Sequence, residues 1–461
     1  MTALARGLLL AAIAWGAFAF GAVYPWAYWP LMVTIQGVAL IGLLVPGQHR
    51  PLGLTRLAAG LAVFVGLAVL QLVPLPLHWV RAVSPNAIDA LGQLEPSVAN
   101  GLASAHPLSL SPGDTLTGVA IFGSLAFTIV GAARLLSMGG AREFVERIVL
   151  IGVALALTGI IQQPLYHGRI YGFWRPLMGG NPFGPFVNKN HFAGWMLMGI
   201  PLTIGLICAG IARGVPPHIA TWRDRLVWAG TPEASRLVLL FGAAGLMMLS
   251  LLFTMARSGL MALLVALAIT TALVAKRQPT RTRALVIASS LMVLLASGIA
   301  WFGVSSLASR FANAEWAGLG GRLGVWTDAV AIAGRFWTVG TGLNTYGVAT
   351  TLYQTFDLLQ HYEQAHNDYL QLAVEGGLLL GIPAIICLIL FVGTVRRRFR
   401  EETSVTAYWL RAGAVTGLTA VMLQDAVEFS LQMPGNAVLF AVLCAIALHR
   451  APERKTRPTL A

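Results

Sequence analysis

A histidine, an amide, a carboxylate and a phenol occupy four consecutive positions, His366-Asn367-Asp368-Tyr369, where a long polar segment gives way to an apolar helix. Such a group supplies acid/base capacity where water meets lipid. The positive end of a helix dipole disfavours imidazolium, so a histidine at a helix start stays neutral and suits a general base near neutral pH. Asp368 and Glu363 would pull the other way. The plainer alternative is a histidine that only makes structural hydrogen bonds.

Two arginines offer a second kind of chemistry. Arg257 stands in Phe253-Thr254-Met255-Ala256-Arg257-Ser258-Gly259 with apolar sequence on both sides. Placing an arginine near hydrocarbon costs on the order of 2.5–3.5 kcal/mol even on the mildest insertion scales, so something must compensate. It either snorkels to the interface or serves as a fixed guanidinium for a phosphate-bearing ligand, with Ser258-Gly259 allowing close approach. Arg322 follows Gly318-Leu319-Gly320-Gly321 and precedes the helical pattern Leu323, Trp326, Val330, Ala333. A helix starting where the glycines stop would aim free N–H groups and the dipole at the same anion as the guanidinium. A fourth cluster lies in the turn-rich stretch from Asn181 to Ala193, where Asn188, Lys189, Asn190 and His191 crowd the mouth of another apolar run. They can bind saccharide hydroxyls or phosphate, and the asparagines can equally cap the helix.

What must position these groups is a set of membrane helices. The chain is 57% hydrophobic and only 11% charged, against roughly 25% charged residues in ordinary globular proteins. Repeated apolar runs of about 20 residues predict an all-α, polytopic membrane protein. Twelve spans are expected, at about 7–23, 31–45, 57–73, 115–136, 148–161, 190–211, 237–255, 258–275, 284–304, 369–395, 407–424 and 434–448. The first could instead be a cleaved signal peptide, but the second run begins almost at once at Pro30, which favours a retained hairpin. Residues 1–461 are read as a single membrane domain, with a large outward helical loop over 305–368 between spans nine and ten that carries part of the site.

The formal net charge of +13 is mainly a topology signal. Assigning the basic clusters to the cytoplasm puts all of them on one side of a twelve-span alternation, with both termini cytoplasmic. Segments 77–114, 162–189 and 305–368 then face outward with the turns at Arg257 and Asp425. Nucleic acid is therefore rejected as a partner; membrane lipids are expected ones. Cys208, Cys387 and Cys444 fall inside spans, so no disulfide is implied.

The ordered set Phe186-x-Asn188-x-Asn190-His191-x-Ala193, Ala256-Arg257-Ser258-Gly259, Gly321-Arg322-x3-Trp326, Gly340-x-Gly342-x3-Tyr346 and Ala365-His366-Asn367-Asp368-Tyr369-Leu370 resembles the O-antigen ligase and O-antigen polymerase superfamily, over roughly residues 115–448. The resemblance implies an inverting glycosyltransferase in the bacterial inner membrane, working on the periplasmic face without metal or other cofactor. Its donor would be a glycan on undecaprenyl diphosphate, and its acceptor lipid A core or a growing glycan. It further implies that Arg257 and Arg322 hold the diphosphate and that His366 activates the acceptor hydroxyl. Asn188, Lys189, Asn190, His191, Trp326, Asn367, Asp368 and Tyr369 are the expected substrate-binding residues. One departure is that Gly377 is followed by Leu378-Leu379-Leu380 before Gly381, one residue late for the family's ligases. The stretch Asp425-x2-Glu428-Phe429-x4-Pro434-x-Asn436 is similar to members tied to exopolysaccharide.

Residue chemistry agrees with those roles. Guanidinium forks match phosphate oxygens and stay protonated, so the arginines can stabilise a leaving diphosphate. The outward loops carry no Asp-x-Asp pair for a divalent ion, although Asp425 and Glu428 could orient His366 or the acceptor. Ligase, polymerase and protein O-oligosaccharyltransferase share these features. A flippase or transporter of lipid-linked glycan is the non-enzyme alternative, and it would call for ionisable groups at the midplane or on both faces. The cytoplasmic halves of the spans look almost purely apolar, which favours chemistry on one face.

Overall fold

The computed structural model describes residues 1–45, 52–177, 180–214, 227, 230–275 and 317–451. The expected ninth span, 284–304, lies outside them, as do residues 305–316 of the expected outward loop. The first helices are α1 (Thr2–Phe18), α2 (Pro25–Leu44) and α3 (Leu52–Leu70). Three short ones follow, α4 (Leu77–Val83), α5 (Pro85–Leu94) and α6 (Pro96–Ala99), flanked by a two-stranded antiparallel ribbon of β1 (Leu75–Pro76) and β2 (Ala105–His106). Then come α7 (Pro112–Ser137), α8 (Ala141–Leu165), α9 (Lys189–Gly214), α10 (Pro232–Thr254) and α11 (Arg257–Ala275). The last are α12 (Ala317–Arg335), α13 (Tyr346–Tyr353), α14 (Asp368–Glu401), α15 (Val405–Gln424) and α16 (Pro434–Leu448).

Proline opens α2, α5, α7, α10 and α16, a position where its missing N–H costs nothing and its fixed φ is already helical. Seven described helices are long and apolar enough to cross a membrane, namely α2, α3, α7, α8, α9, α10 and α14. Helices α1, α16 and the apolar part of α11 are shorter. The expected spans coincide with these helices and α15, with span nine outside the described residues and span one shifted toward the N-terminus.

Helices α9 and α15 pack so closely that glycine is required at the crossing. A Cβ on Gly413 would lie 2.5 Å from the Pro201 carbonyl oxygen, and one on Gly205 would lie 2.6 Å from that of Trp409. Within lipid such close approach supplies packing that hydrophobicity alone does not. The consequence is that the start of α9 and the end of α15 are held side by side, and these two termini frame the candidate site.

At that end of the bundle sits a second layer with its own core. Val80, Leu91 and Leu110 from segment 77–114 pack with Ile332, Phe336 and Tyr346 of segment 305–368, and with Val374 of α14. Two buried polar side chains fasten this layer to the membrane helices. Gln71, just past α3, donates to the carbonyls of Val339 (2.8 Å) and Glu375 (2.9 Å) and accepts from the Leu343 N–H at 3.0 Å. Glu375 accepts from the backbone of Asn344 (2.8 Å) and Tyr346 (3.2 Å) and from the Gln371 amide (3.0 Å).

Helix α14 is broken at Gly377, whose φ of 51° and ψ of −148° lie where only glycine sits easily. The helical bonds lost there are replaced across the break. Leu378 and Leu379 donate to the carbonyls of Trp337 (2.8 Å) and Thr338 (2.9 Å), while Thr341 and Gly342 donate to those of Val374 (2.9 Å) and Glu375 (3.0 Å). The first turns of α14 thus belong to the outer layer and the remainder to the bundle.

Two local expectations are corrected. Helix α12 begins at Ala317, so Gly318, Gly320 and Gly321 lie inside it and Arg322 is beyond its first turn. The helix dipole therefore adds little beside Arg322, because it falls off within one turn. The ends of the spans opposite the candidate site are not purely apolar either. Arg411 of α15 is fully buried and donates to the carbonyls of Ala447 (2.9 Å) and His449 (2.9 Å) and to Glu402 (2.9 Å).

Replacing Gly377 by alanine would set a Cβ 2.7 Å from both the Gly340 nitrogen and the Trp337 oxygen. Gly377→Ala is expected to destabilise the purified protein by at least about 2 kcal/mol, from the strained backbone alone. Gly381→Ala, with open space around the new methyl, should leave the thermal unfolding midpoint within a degree or two of the parent protein.

Candidate functional site

The turn between α10 and α11 presents Arg257. Met255 takes a left-handed φ of 52° and the Ala256 N–H is held by the Thr254 hydroxyl at 3.1 Å, so α11 restarts with Arg257 as its first residue. Gly259, one half-turn on, lies against Ala193 of α9, where a Cβ would come within 3.1 Å of the alanine methyl. That contact brings Arg257 to the mouth of α9, and its charge acts on Lys189.

The α9 mouth divides its polar residues between structure and site. Asn188 caps the helix, its side-chain oxygen accepting from the Asn190 N–H at 2.9 Å. The Asn190 amide instead crosses to Glu428, donating at 2.7 Å to the same carboxylate oxygen that Arg322 holds in an ion pair. Three segments far apart in sequence therefore meet on one carboxylate that is 1% exposed.

Beside it Phe429 separates two imidazoles. Its ring lies edge-on to His191 at 4.7 Å and to His366 at 4.6 Å between centroids. His191 is buried with Nε2 unpartnered, and His366 has Nδ1 buried and unpartnered among the described residues. Arg322 acts electrostatically on His366. Trp326 stands one turn beyond Arg322 on the same face of α12, and its buried indole N–H has no partner among the described residues.

His366 takes a left-handed φ of 50°, uncommon for a residue with a side chain. The neighbouring bonds hold it there. The Ala365 N–H is bound by the Gln371 side chain at 3.1 Å, and Asn367 caps α14 by accepting from Tyr369 and Leu370, each at 3.0 Å. The Asn367 amide also donates to the Ala426 carbonyl at 2.9 Å, and Asp368 N–H donates to that of Asp425 at 3.0 Å. These bonds sew the 366–368 turn to the 425–428 turn. Tyr369 points elsewhere, donating to the Met422 carbonyl at 2.7 Å.

Of the residues singled out from sequence, Arg322, Asn190, His191 and His366 thus gather around Glu428 and Phe429. Lys189 is close enough to feel the charges of both Glu428 and Arg257. Asn188, Asn367 and Tyr369 spend their side chains on caps and carbonyls, while Asp368 accepts from the Gln432 amide at 3.1 Å. Phe429 was not anticipated as a site residue. The signal for Glu428 was a carboxylate in a short turn between two apolar runs, and the structure makes it the hub. Among the described residues, no three His, Cys, Asp or Glu side chains come together as metal ligands.

The local field keeps His366 uncharged. Burial, and then the Arg322 guanidinium, push its imidazole down to about 4, so Glu363 and Asp368 do not offset the depression as expected from sequence. Burial raises the Glu428 carboxyl, against the pull of Arg322 and Asn190. Burial raises Asp425 well above the usual carboxylate range too, with the nearby Asp368 charge adding to it. Between the ordinary histidine value and about 4, the unfolded chain binds a proton that folded His366 refuses. Its contribution to stability is therefore complete above pH 6.5 and declines as pH falls toward 4. In a histidine-labelled sample His366 is expected to titrate near 4, and Arg322→Gln should move that midpoint upward. A midpoint near 6.5 in the parent protein would contradict the assigned environment.

No curated protein matches the chain. Residues 242–385, about a third of it, match the family model described as O-antigen ligase. The matched stretch contains Arg257, Arg322 and His366, whereas Asn190 and Glu428 come from outside it. That match, with the motifs that converge around it, makes residues 242–385 similar to the O-antigen ligase family.

Proposed function

We propose that this site transfers a glycan from undecaprenyl diphosphate to an acceptor hydroxyl at the periplasmic face of the inner membrane, with inversion and without a metal, as an O-antigen ligase acting on lipid A core. The family supports a glycosyltransferase of the ligase and polymerase type. The observation that carries the finer reading is the placing of a neutral imidazole beside a guanidinium that is itself aligned by a buried carboxylate.

Displacing a lipid diphosphate from an anomeric carbon has two requirements, stabilising the charge that develops on the leaving group and removing a proton from the incoming hydroxyl. Arg322, with Lys189 and Arg257 toward the α9 mouth, serves the first. His366 serves the second, taking the hydroxyl proton as the new glycosidic bond forms and the bond to the diphosphate oxygen breaks. An imidazole held near 4 is a weak base on its own. A diphosphate bound at Arg322 offsets the guanidinium charge that depresses it, so donor binding strengthens the base just where the acceptor arrives. Glu428 has a complementary part, aligning Arg322 before the donor enters. The unpartnered Trp326 N–H and the His191 imidazole would line the glycan side of the pocket.

His366→Ala is expected to abolish transfer while the protein still purifies folded; transfer at near the parent rate removes His366 from the mechanism. Arg322→Lys should be nearly as damaging as Arg322→Ala, because an ammonium cannot make the bidentate fork. Chelation by EDTA should leave the rate unchanged, and a loss restored by a divalent ion would defeat the metal-free assignment. The decisive assay supplies purified protein with undecaprenyl-diphosphate glycan and either lipid A core or no added acceptor. Capped core supports the ligase, whereas longer lipid-linked glycan in both tubes identifies a polymerase.

A further inference from the structure

The far end of α9 lines a polar cavity that the proposed transferase chemistry does not use. Helix α9 is 26 residues long, which separates its two ends by about 39 Å at 1.5 Å per residue. Where Lys189 begins it at the candidate site, Arg213 in its last turn lies at a cavity of about 320 Å³ between α8, α9 and α10. Arg142 and Glu146 of α8 and Arg236 of α10 share the wall.

The charges there are unbalanced in a specific way. Glu146 is held by two arginines, Arg142 at 2.9 Å and Arg236 in a second ion pair. Arg213 makes one hydrogen bond, to the Ala209 carbonyl of its own helix at 3.2 Å, and among the described residues no carboxylate lies within ion-pair distance of it. It faces the repulsion of Arg142 and Arg236 with only Glu146 opposing. Glu233 also lines the cavity, at the first turn of α10. Three arginines against two carboxylates, one of them shared by two of the arginines, leave the wall positive and favour a bound anion, and guanidinium groups favour the planar oxygen pairs of phosphate.

The remaining wall says how that phosphate is presented. Leu206 lies two turns inward from Arg213, and Leu240 one turn inward from Arg236. The cavity therefore runs from arginine at the helix ends to leucine along the helix bodies, the same order in which a phospholipid passes from headgroup to acyl chain. We propose that Arg142, Arg213 and Arg236 form a binding site for a phosphate monoanion, in the setting of an anionic phospholipid headgroup, at the end of the bundle opposite the transfer site.

The test is native mass spectrometry of the full-length protein in a neutral detergent, titrated with phosphatidylglycerol, phosphatidylcholine or inorganic phosphate. One phosphatidylglycerol should be retained in preference to phosphatidylcholine. Each of Arg213→Gln and Arg236→Gln should weaken that binding about five-fold, as expected for about 1 kcal/mol per basic residue at a membrane surface, and Arg213→Lys should retain most of it. Inorganic phosphate competing at equal concentration would assign the site to soluble phosphate, while competition only by the lipid assigns it to the membrane. Equal retention of the two lipids with no effect of inorganic phosphate, or binding indifferent to Arg213→Gln in protein that unfolds at the parent temperature, would overturn the proposal.

Discussion

A carboxylate withdrawn from water is held charged only if neighbours replace the hydration it loses. Glu428 is the group on which this constraint falls most heavily, at 1% exposure. Arg322 and Asn190 both bond one of its oxygens, and this couples the outer layer to the bundle. Helix α12 cannot shift without stripping Glu428 of its counter-charge, and the start of α9 cannot shift without removing the amide. The ion pair is a poor candidate for net stabilisation, since taking Glu428 out of water costs about as much as the attraction to half-buried Arg322 returns. Its consequence is geometric. It fixes where Arg322 points and how near that charge stands to His366.

Behind this pair the outer layer is made rigid by groups that never touch a substrate. Gln71 and Glu375 divide six hydrogen bonds between α3, α14 and the 339–346 turn, and the break at Gly377 turns the first part of α14 into a strut of that layer. His366 sits at the tip of that strut, fastened on its far side to the 425–428 turn. A shift of an ångström in any of these parts would be felt at the imidazole, and misplacement of that size would be costly in the proposed role, where it meets a hydroxyl at hydrogen-bond range.

Much of this was legible in sequence and some was not, for separable reasons. The spans could be read because hydrocarbon admits little besides apolar helix, so eleven of the twelve expected runs fall on described helices. The polar clusters at 188–191, 257, 322 and 366 stood out because each breaks that monotony. Pairing was beyond reach, since nothing local to Asn190 or Arg322 says that both will face Glu428. Asn188 and Asn367 illustrate a residue type that admits two uses. Their type suits saccharide binding and helix capping alike, and the bonds they make are caps. The glycines before Arg322 suggested a helix start, but a helix already under way absorbs them. Glu375 carries a legible signal of its own: a carboxylate seven residues into an apolar run is expensive enough to demand partners.

The molecule buries polar side chains at both ends, so burial alone does not mark a site; completeness does. At one end Arg411 is enclosed by the carbonyls of Ala447, His449 and Arg398 and by Glu402, a set that gives every guanidinium nitrogen a partner and binds the end of α16 to the bundle. At the other end the partners run out. His191 Nε2, His366 Nδ1, Trp326 Nε1 and Glu428 Oε2 are all buried and unpaired among the described residues. Each such atom carries a desolvation cost of about 1–3 kcal/mol that a purely structural cluster has no reason to retain. A ligand rich in hydroxyls and phosphate oxygens can return those bonds on binding, with geometry already set by the Glu428 and Gly377 scaffolds. The difference between a closed and an open polar cluster separates the arginine that holds the bundle together from the arginine proposed to meet the donor diphosphate.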